Sequence, residues 1–155
     1  MHPAYYQTNI PNAAILARAA LGTQLNEFVD NYKLLNELVE KHYPPDKKEK
    51  GKIFIAQMFL GGSYESIVSF LGKANTNNRR KLESLLNFLY HCRNAAFHGN
   101  KFYFKSYIRK EFKGGARAEW GNHIIDLGDE GKTLFTQKLK TTDTVFLLQD
   151  VKRLF

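Results

Sequence analysis

The chain has a single cysteine, Cys92, which excludes an internal disulfide framework. It is also short of acid: 15 Asp and Glu face 23 Lys and Arg, a net charge of +8 with a sequence pI near 9.5. That balance suits a polyanionic partner without requiring one, since many basic proteins bind no nucleic acid. No apolar run approaches the roughly 18 residues of a spanning helix, and no leader pattern opens the sequence, so the expectation is a cytoplasmic protein with no membrane partner. Metal motifs are missing as well. His91 and His98 share a helix face but stand about 10 Å apart along its axis, two turns rather than one, so no metal site is expected. Gly131, Lys132 and Thr133 imitate the end of a phosphate-binding loop, yet Asp126 occupies the position of its first glycine, and the tripeptide reads as a turn. No cofactor is expected.

At 155 residues the chain reads as one domain, 1–155, long enough to bury a core. Residues 1–11 have no period and read as an N-terminal arm. A helix follows over about 12–42, where Leu25, Phe28, Val29, Tyr32, Leu35, Leu38 and Val39 keep helical spacing, Gly22 is a candidate break, and Pro44 with Pro45 stop it. A second helical region over 53–71 is expected to break at Gly61, Gly62 and Ser63, the serine capping its second half. The lysine-rich 47–52 before it reads as a solvated face. Residues 72–78 read as a polar loop from which Asn77 or Asn78 can cap the next helix.

That next helix, 79–99, reads RRKLESLLNFLYHCRNAAFHG and organises the rest of the chain. At about 100° per residue, Leu82, Leu85, Leu86, Leu89, Ala96 and Phe97 fall on one stripe, and Arg93 falls inside it. An arginine on a core-facing stripe needs a carboxylate, an anion or a polar cleft in front of it. Arg79, Arg80 and Lys81 would lie in the first turn, where the macrodipole disfavours cations, and read as a solvated basic end. His98 and Gly99 close the helix, glycine supplying the left-handed cap. Cys92 flanks the stripe and reads as packing rather than as a nucleophile.

Arginine, a polar residue directly after it, and histidine at a helix end followed by glycine resemble the signature of the HEPN superfamily, here RNAAFHG from Arg93 to Gly99. The resemblance implies a helical bundle, commonly dimeric, and a metal-independent endoribonuclease used in toxin–antitoxin or anti-phage defence systems. It assigns Arg93, Asn94 and His98 as catalytic residues and implies RNA, a second copy of the chain and an antitoxin or regulatory partner as interactors. The chemistry is consistent with these side chains. Transesterification of RNA needs proton transfer at the 2′-hydroxyl and the 5′-oxygen and positive charge at the phosphorane, leaving 2′,3′-cyclic phosphate and 5′-hydroxyl ends. Arg93 offers a planar cationic fork, and histidine is the side chain that titrates nearest neutrality, with His98 open to either the base or the acid role. Asn94, four residues before His98, can orient the imidazole or hold substrate. Some HEPN toxins are silenced at a tyrosine two residues after the histidine, and Asn100 stands there instead. The competing readings are a buried ion pair of Arg93 with Glu27, Glu37 or Glu65, a helix-capping His98, and a non-catalytic HEPN-like dimeric module binding RNA, nucleotide or a protein partner.

After Gly99 the pattern changes. Across 101–117, Lys101, Lys105, Arg109, Lys110, Lys113 and Arg117 oppose only Glu111, a local charge of +5, and aromatic residues interleave with them. Lys101, Lys105, Arg109, Lys110 and Lys113 are the candidate RNA-binding residues, against the alternative of a solvated face. Glycine pairs suggest turns, so 101–139 is expected to be a small irregular or β-containing insertion after the motif helix, followed by a C-terminal helix over 142–155 capped by Thr142 or Asp143. The expected fold is mainly α, a bundle of four or more helices. Arg93 and His98 are about 140° apart on an ideal helix, so either the last turn distorts or a second subunit contributes, and the resemblance favours the second.

Overall fold

The structure, a computed structural model, describes residues 10–155, with side chains from Ile15 onward. Six α-helices and a short hairpin follow one another: α1 (Ile10–His42), α2 (Lys48–Leu71), α3 (Lys73–Leu82), α4 (Ser84–Phe97), α5 (Ser106–Lys113), β1 (Ala118–Trp120), β2 (His123–Ile125), a single 3-10 turn (Leu127–Asp129) and α6 (Asp143–Lys152). The fold is mainly α, a helical bundle with a small β-containing insertion. Helix α4 is central, touching α2, α3, β1 and α6, while α1 packs along α2 and α6.

Helix α1 buries Leu21, Leu25, Val29, Tyr32 and Val39, whereas Leu35 and Leu38 of the same expected stripe are exposed. It runs through Gly22 without a break and already includes Ile10 and Pro11; the rest of the expected arm, 1–9, lies outside the described residues. Helix α2 is likewise unbroken, starting earlier than expected and passing through both glycines. The reason is packing: the Phe97 ring lies against Gly61 so closely that an added Cβ would stand 2.0 Å from its tip. Ser63 caps nothing and donates instead to the Leu60 carbonyl at 3.0 Å. Contrary to the expectation that no apolar run approaches a spanning length, α2 is long and apolar enough by length and composition to cross a membrane, although Ile55, Ala56, Leu60 and Ile67 of this helix are core residues.

The expected polar loop 72–78 is the start of α3, and the expected continuous helix 79–99 is two helices separated at Glu83, whose backbone is extended (φ −110°, ψ 109°). A straight helix would aim Leu82 inward, but Leu82 is 85% exposed and Arg80 is 5% exposed. The break places Arg79, Arg80 and Lys81 in the last turn of α3, where the macrodipole favours cations. Asn77 and Asn78 are therefore interior to a helix and cap nothing.

The insertion contains a helix that the sequence reading omits, α5, held by Ile108 and Phe112 at i,i+4. Its hairpin pairs Ala118 with Ile125 and Trp120 with His123 in antiparallel register. The 3-10 turn is a capping box: Asp126 accepts from Gly128 N at 2.9 Å, and the buried Asp129 accepts from Asp126 N at 3.0 Å and from Lys138 at 2.9 Å. The turn expected at Gly131, Lys132 and Thr133 covers only the first of them: it runs over Glu130 and Gly131, closed by Lys132 N donating to Asp129 O at 2.9 Å, and Thr133 pairs with Lys101 in an antiparallel bridge. Helix α6 is preceded by Thr142 and ends at Lys152, so Leu154 and Phe155 lie beyond it, Phe155 meeting Phe70 edge-on at 6.0 Å.

Candidate active site

Helix α4 is wrapped by the core over more than half its circumference, burying Leu86, Phe88, Leu89, His91, Cys92, Ala95 and Ala96. Cys92 lies near the middle of that face, fully buried, and burial pushes its thiol well above the ordinary range, which suits packing. Arg93 lies at the margin of the face rather than on its centre line, half-buried beside the exposed Phe97.

One face of α4 opens on a cleft of about 560 Å³. Arg93, Asn94 and His98 line it from α4, Glu65 from α2, Lys73 and Asn77 from α3, and Tyr103 and Lys105 from the segment after the motif. The two expected explanations of Arg93 meet here. Its Nε donates to Glu65 Oε1 at 3.1 Å, its second nitrogen shares the same oxygen, and its third donates to Asn94 Oδ1 at 2.9 Å. The guanidinium also lies over the Phe97 ring at 4.8 Å. Glu65 is thus the carboxylate partner among the three that the sequence offers. The pair is open to the cleft, not sealed in the core, Glu65 being about half exposed.

His98 stands at the C-cap with φ −107° and ψ 46°, its N–H donating to the carbonyls of Asn94 and Ala95. Gly99 (φ 67°) and Asn100 (φ 65°) then turn the chain away in the left-handed region that glycine adopts without strain. Asn100 is fastened by its side chain, accepting from Phe135 N at 2.8 Å and donating to Phe135 O at 3.2 Å. Gln57 of α2 donates to Ala96 O at 3.0 Å, satisfying one carbonyl left open at the end of α4. The helix keeps its i→i−4 bond from His98 N to Asn94 O at 3.1 Å, and Arg93 and His98 line one cleft within a single chain. Asn94 holds Arg93 rather than the imidazole of His98.

Behind the cleft lies a polar cluster that the spacing of 79–99 does not disclose. Arg80 donates to Asn87 Oδ1 at 3.0 Å, reaches both Glu111 oxygens at 3.4 Å and lies 4.6 Å over the Tyr90 ring. The expected solvated basic end is thus corrected: Arg80 is sequestered, because the α3–α4 break turns it inward against α5. His91 is buried beside it, and desolvation, helped by the Arg80 charge, pulls its pKa from 6.5 down to about 3. The Tyr90 and Tyr107 hydroxyls share a hydrogen bond of 2.8 Å, and this bond and burial raise Tyr107 to about 12.

Of the five candidate RNA-binding residues, only Lys105 lines the cleft. Lys101 is exposed next to its wall, bridging to Thr133 through the backbone. Arg109 donates with Nε to Glu130 Oε2 at 2.9 Å and with a second nitrogen to the other oxygen, a forked pair that holds the Glu130 carboxyl below its ordinary range. Lys110 and Lys113 are exposed at the end of α5, with no ion pair among the described residues. Sequence reasoning misses Lys73 and Asn77; their i,i+4 spacing would signal them once α3 is known to be helical.

Comparison with protein-family models, curated proteins and solved structures finds no match to this chain.

Proposed function

We propose that this cleft is the cleavage site of a metal-independent endoribonuclease of the HEPN type, acting as a toxin or anti-phage defence effector in the cytoplasm. The observation that supports this reading is that Arg93, Asn94 and His98 line one cationic cleft together with Lys73 and Lys105. A phosphodiester entering it displaces Glu65 from the Arg93 fork, which then faces two phosphoryl oxygens. The 2′-oxygen attacks phosphorus and the bond to the 5′-oxygen breaks; His98 transfers the proton at one of those two oxygens and solvent water the proton at the other, giving 2′,3′-cyclic phosphate and 5′-hydroxyl ends. Arg93 stabilises the charge gathered on the phosphorane.

The working unit of this proposal is a homodimer. Phe54, Met58, Gly61 and Glu65 follow one stripe of α2; Phe54, Met58 and the neighbouring Phe97 are exposed large apolar side chains continuous with the cleft edge. A second copy burying that stripe would narrow the cleft without having to supply either Arg93 or His98.

A second reading has its own observation: Glu65 and Asn94 already occupy the Arg93 donors, as in a module that binds without cutting. Digestion of total RNA in EDTA by wild type, Arg93→Ala and His98→Ala separates the two. Cutting lost in both variants supports catalysis at this site, and cutting that survives either substitution removes it.

A further inference from the structure

Six aromatic side chains line the cleft, and five of them are engaged within the fold. The Tyr64 and Tyr90 rings pack 5.8 Å apart, Tyr107 is bonded to the Tyr90 hydroxyl, and Phe102 and Phe104 are buried with ring centroids 5.9 Å apart. Tyr103 differs. It is 59% exposed and has neither a ring partner nor a hydrogen bond among the described residues.

Its position follows from the backbone around it. Phe102 N donates to Lys132 O at 3.0 Å and Phe102 O accepts from Gly131 N at 2.8 Å, which pins the segment in an extended form. Side chains alternate there, so Phe102 and Phe104 enter the core while Lys101, Tyr103 and Lys105 face out, successive ones about 6.6 Å apart. This strip begins three residues after His98, and its Tyr103 and Lys105 are cleft-lining. The charged side chains of the cleft are Lys73, Arg93 and Lys105 against Glu65, which Arg93 already holds.

From this we infer that Tyr103 is a base-stacking residue that restricts the cleft to single-stranded RNA, an inference that rests on the cleft being an RNA site. An unpaired base lies on the Tyr103 ring beside the phosphate at Arg93 and His98, and Lys105 neutralises an adjoining phosphate. Every base offers a flat face, so the contact tolerates any sequence. In an A-form duplex those faces are covered by neighbouring base pairs, and the ring has nothing to stack on.

The test uses full-length His98→Ala, which stops cutting, with Tyr103 retained or changed to Leu. Binding is read by fluorescence anisotropy on a short single-stranded RNA, the same strand with abasic sites through its centre, and the matching duplex. Tyr103→Leu is expected to weaken the intact single strand roughly 5- to 150-fold and to change the abasic strand and duplex far less. Equal affinity of both proteins for the intact strand, an equal loss on the abasic strand, or no binding of any RNA would overturn the inference. Failure of the cleavage reading is separate: a wild type that never cuts yet loses single-strand affinity through Tyr103 keeps the stacking site and discards the nuclease.

Discussion

Arg93 is held by Glu65, so on the proposed reading Glu65 competes with a phosphate for the Arg93 fork. Half-exposed ion pairs contribute up to about 1 kcal/mol, and Glu65→Gln is expected to tighten RNA binding by up to about fivefold in an anisotropy titration. Unchanged or weaker binding would mean that Glu65 positions Arg93 rather than competing for it. His91 gives a second prediction. Its pKa is about 3 in the fold, from 6.5, so the unfolded chain takes up its proton first as pH falls. The stability it contributes is complete above pH 6.5 and is lost progressively towards pH 3, on the order of a few kcal/mol. His91→Leu should flatten the urea midpoint against pH across that window; an unaltered profile would show that other groups govern acid unfolding.

At the scale of elements, Gly61 couples α2 to the site, because the Phe97 ring rests where a side chain would project. Gly61→Ala should displace the half-exposed Phe97 ring, and with it the surface under Arg93, at a stability change within about 1 kcal/mol in thermal unfolding, because a mid-helix alanine offsets the lost contact. The extended strip and α5 make another prediction. For single strands each neutralised phosphate contributes about 0.7 to the slope of log affinity against log salt. Lys105→Gln should flatten the slope by about that amount, whereas Arg109→Gln should change it less, because Glu130 already occupies that fork. An unchanged slope in Lys105→Gln would return it to a solvated face. The sequence discloses the motif and its terminator because both are local: a 3.6-residue period delivers Arg93 and Asn94, and Gly99 ends the helix under His98. It hides the break at Glu83, since glutamate is a good helix former and the period continues across it. It hides α5 as well, where aromatic and charged residues interleave and only Ile108 and Phe112 carry the helical spacing. Lys73, Arg80 and Glu65 join the site or its support through tertiary packing, which no single stretch encodes.

For the whole molecule, Arg93 and His98 line one cleft of a single chain, so in the proposed enzyme a second copy covering the exposed stripe from Phe54 to Phe97 would narrow the cleft rather than supply half of that pair. Met58→Glu should shift a homodimer to monomer in sedimentation equilibrium, and a wild type monomeric at all concentrations would defeat the assembly. A verified heterodimer of Arg93→Ala and His98→Ala should show no recovered cutting, because each chain then carries a broken cleft; recovered cutting would restore the cross-subunit pairing that ideal helix geometry suggests. The most direct test of the account is the chemistry itself. Purified wild type incubated with single-stranded RNA in EDTA should produce fragments with 2′,3′-cyclic phosphate and 5′-hydroxyl ends, and Arg93→Ala and His98→Ala of equal thermal stability should produce none. Intact RNA with the wild type, or the same fragments from either variant, would contradict it.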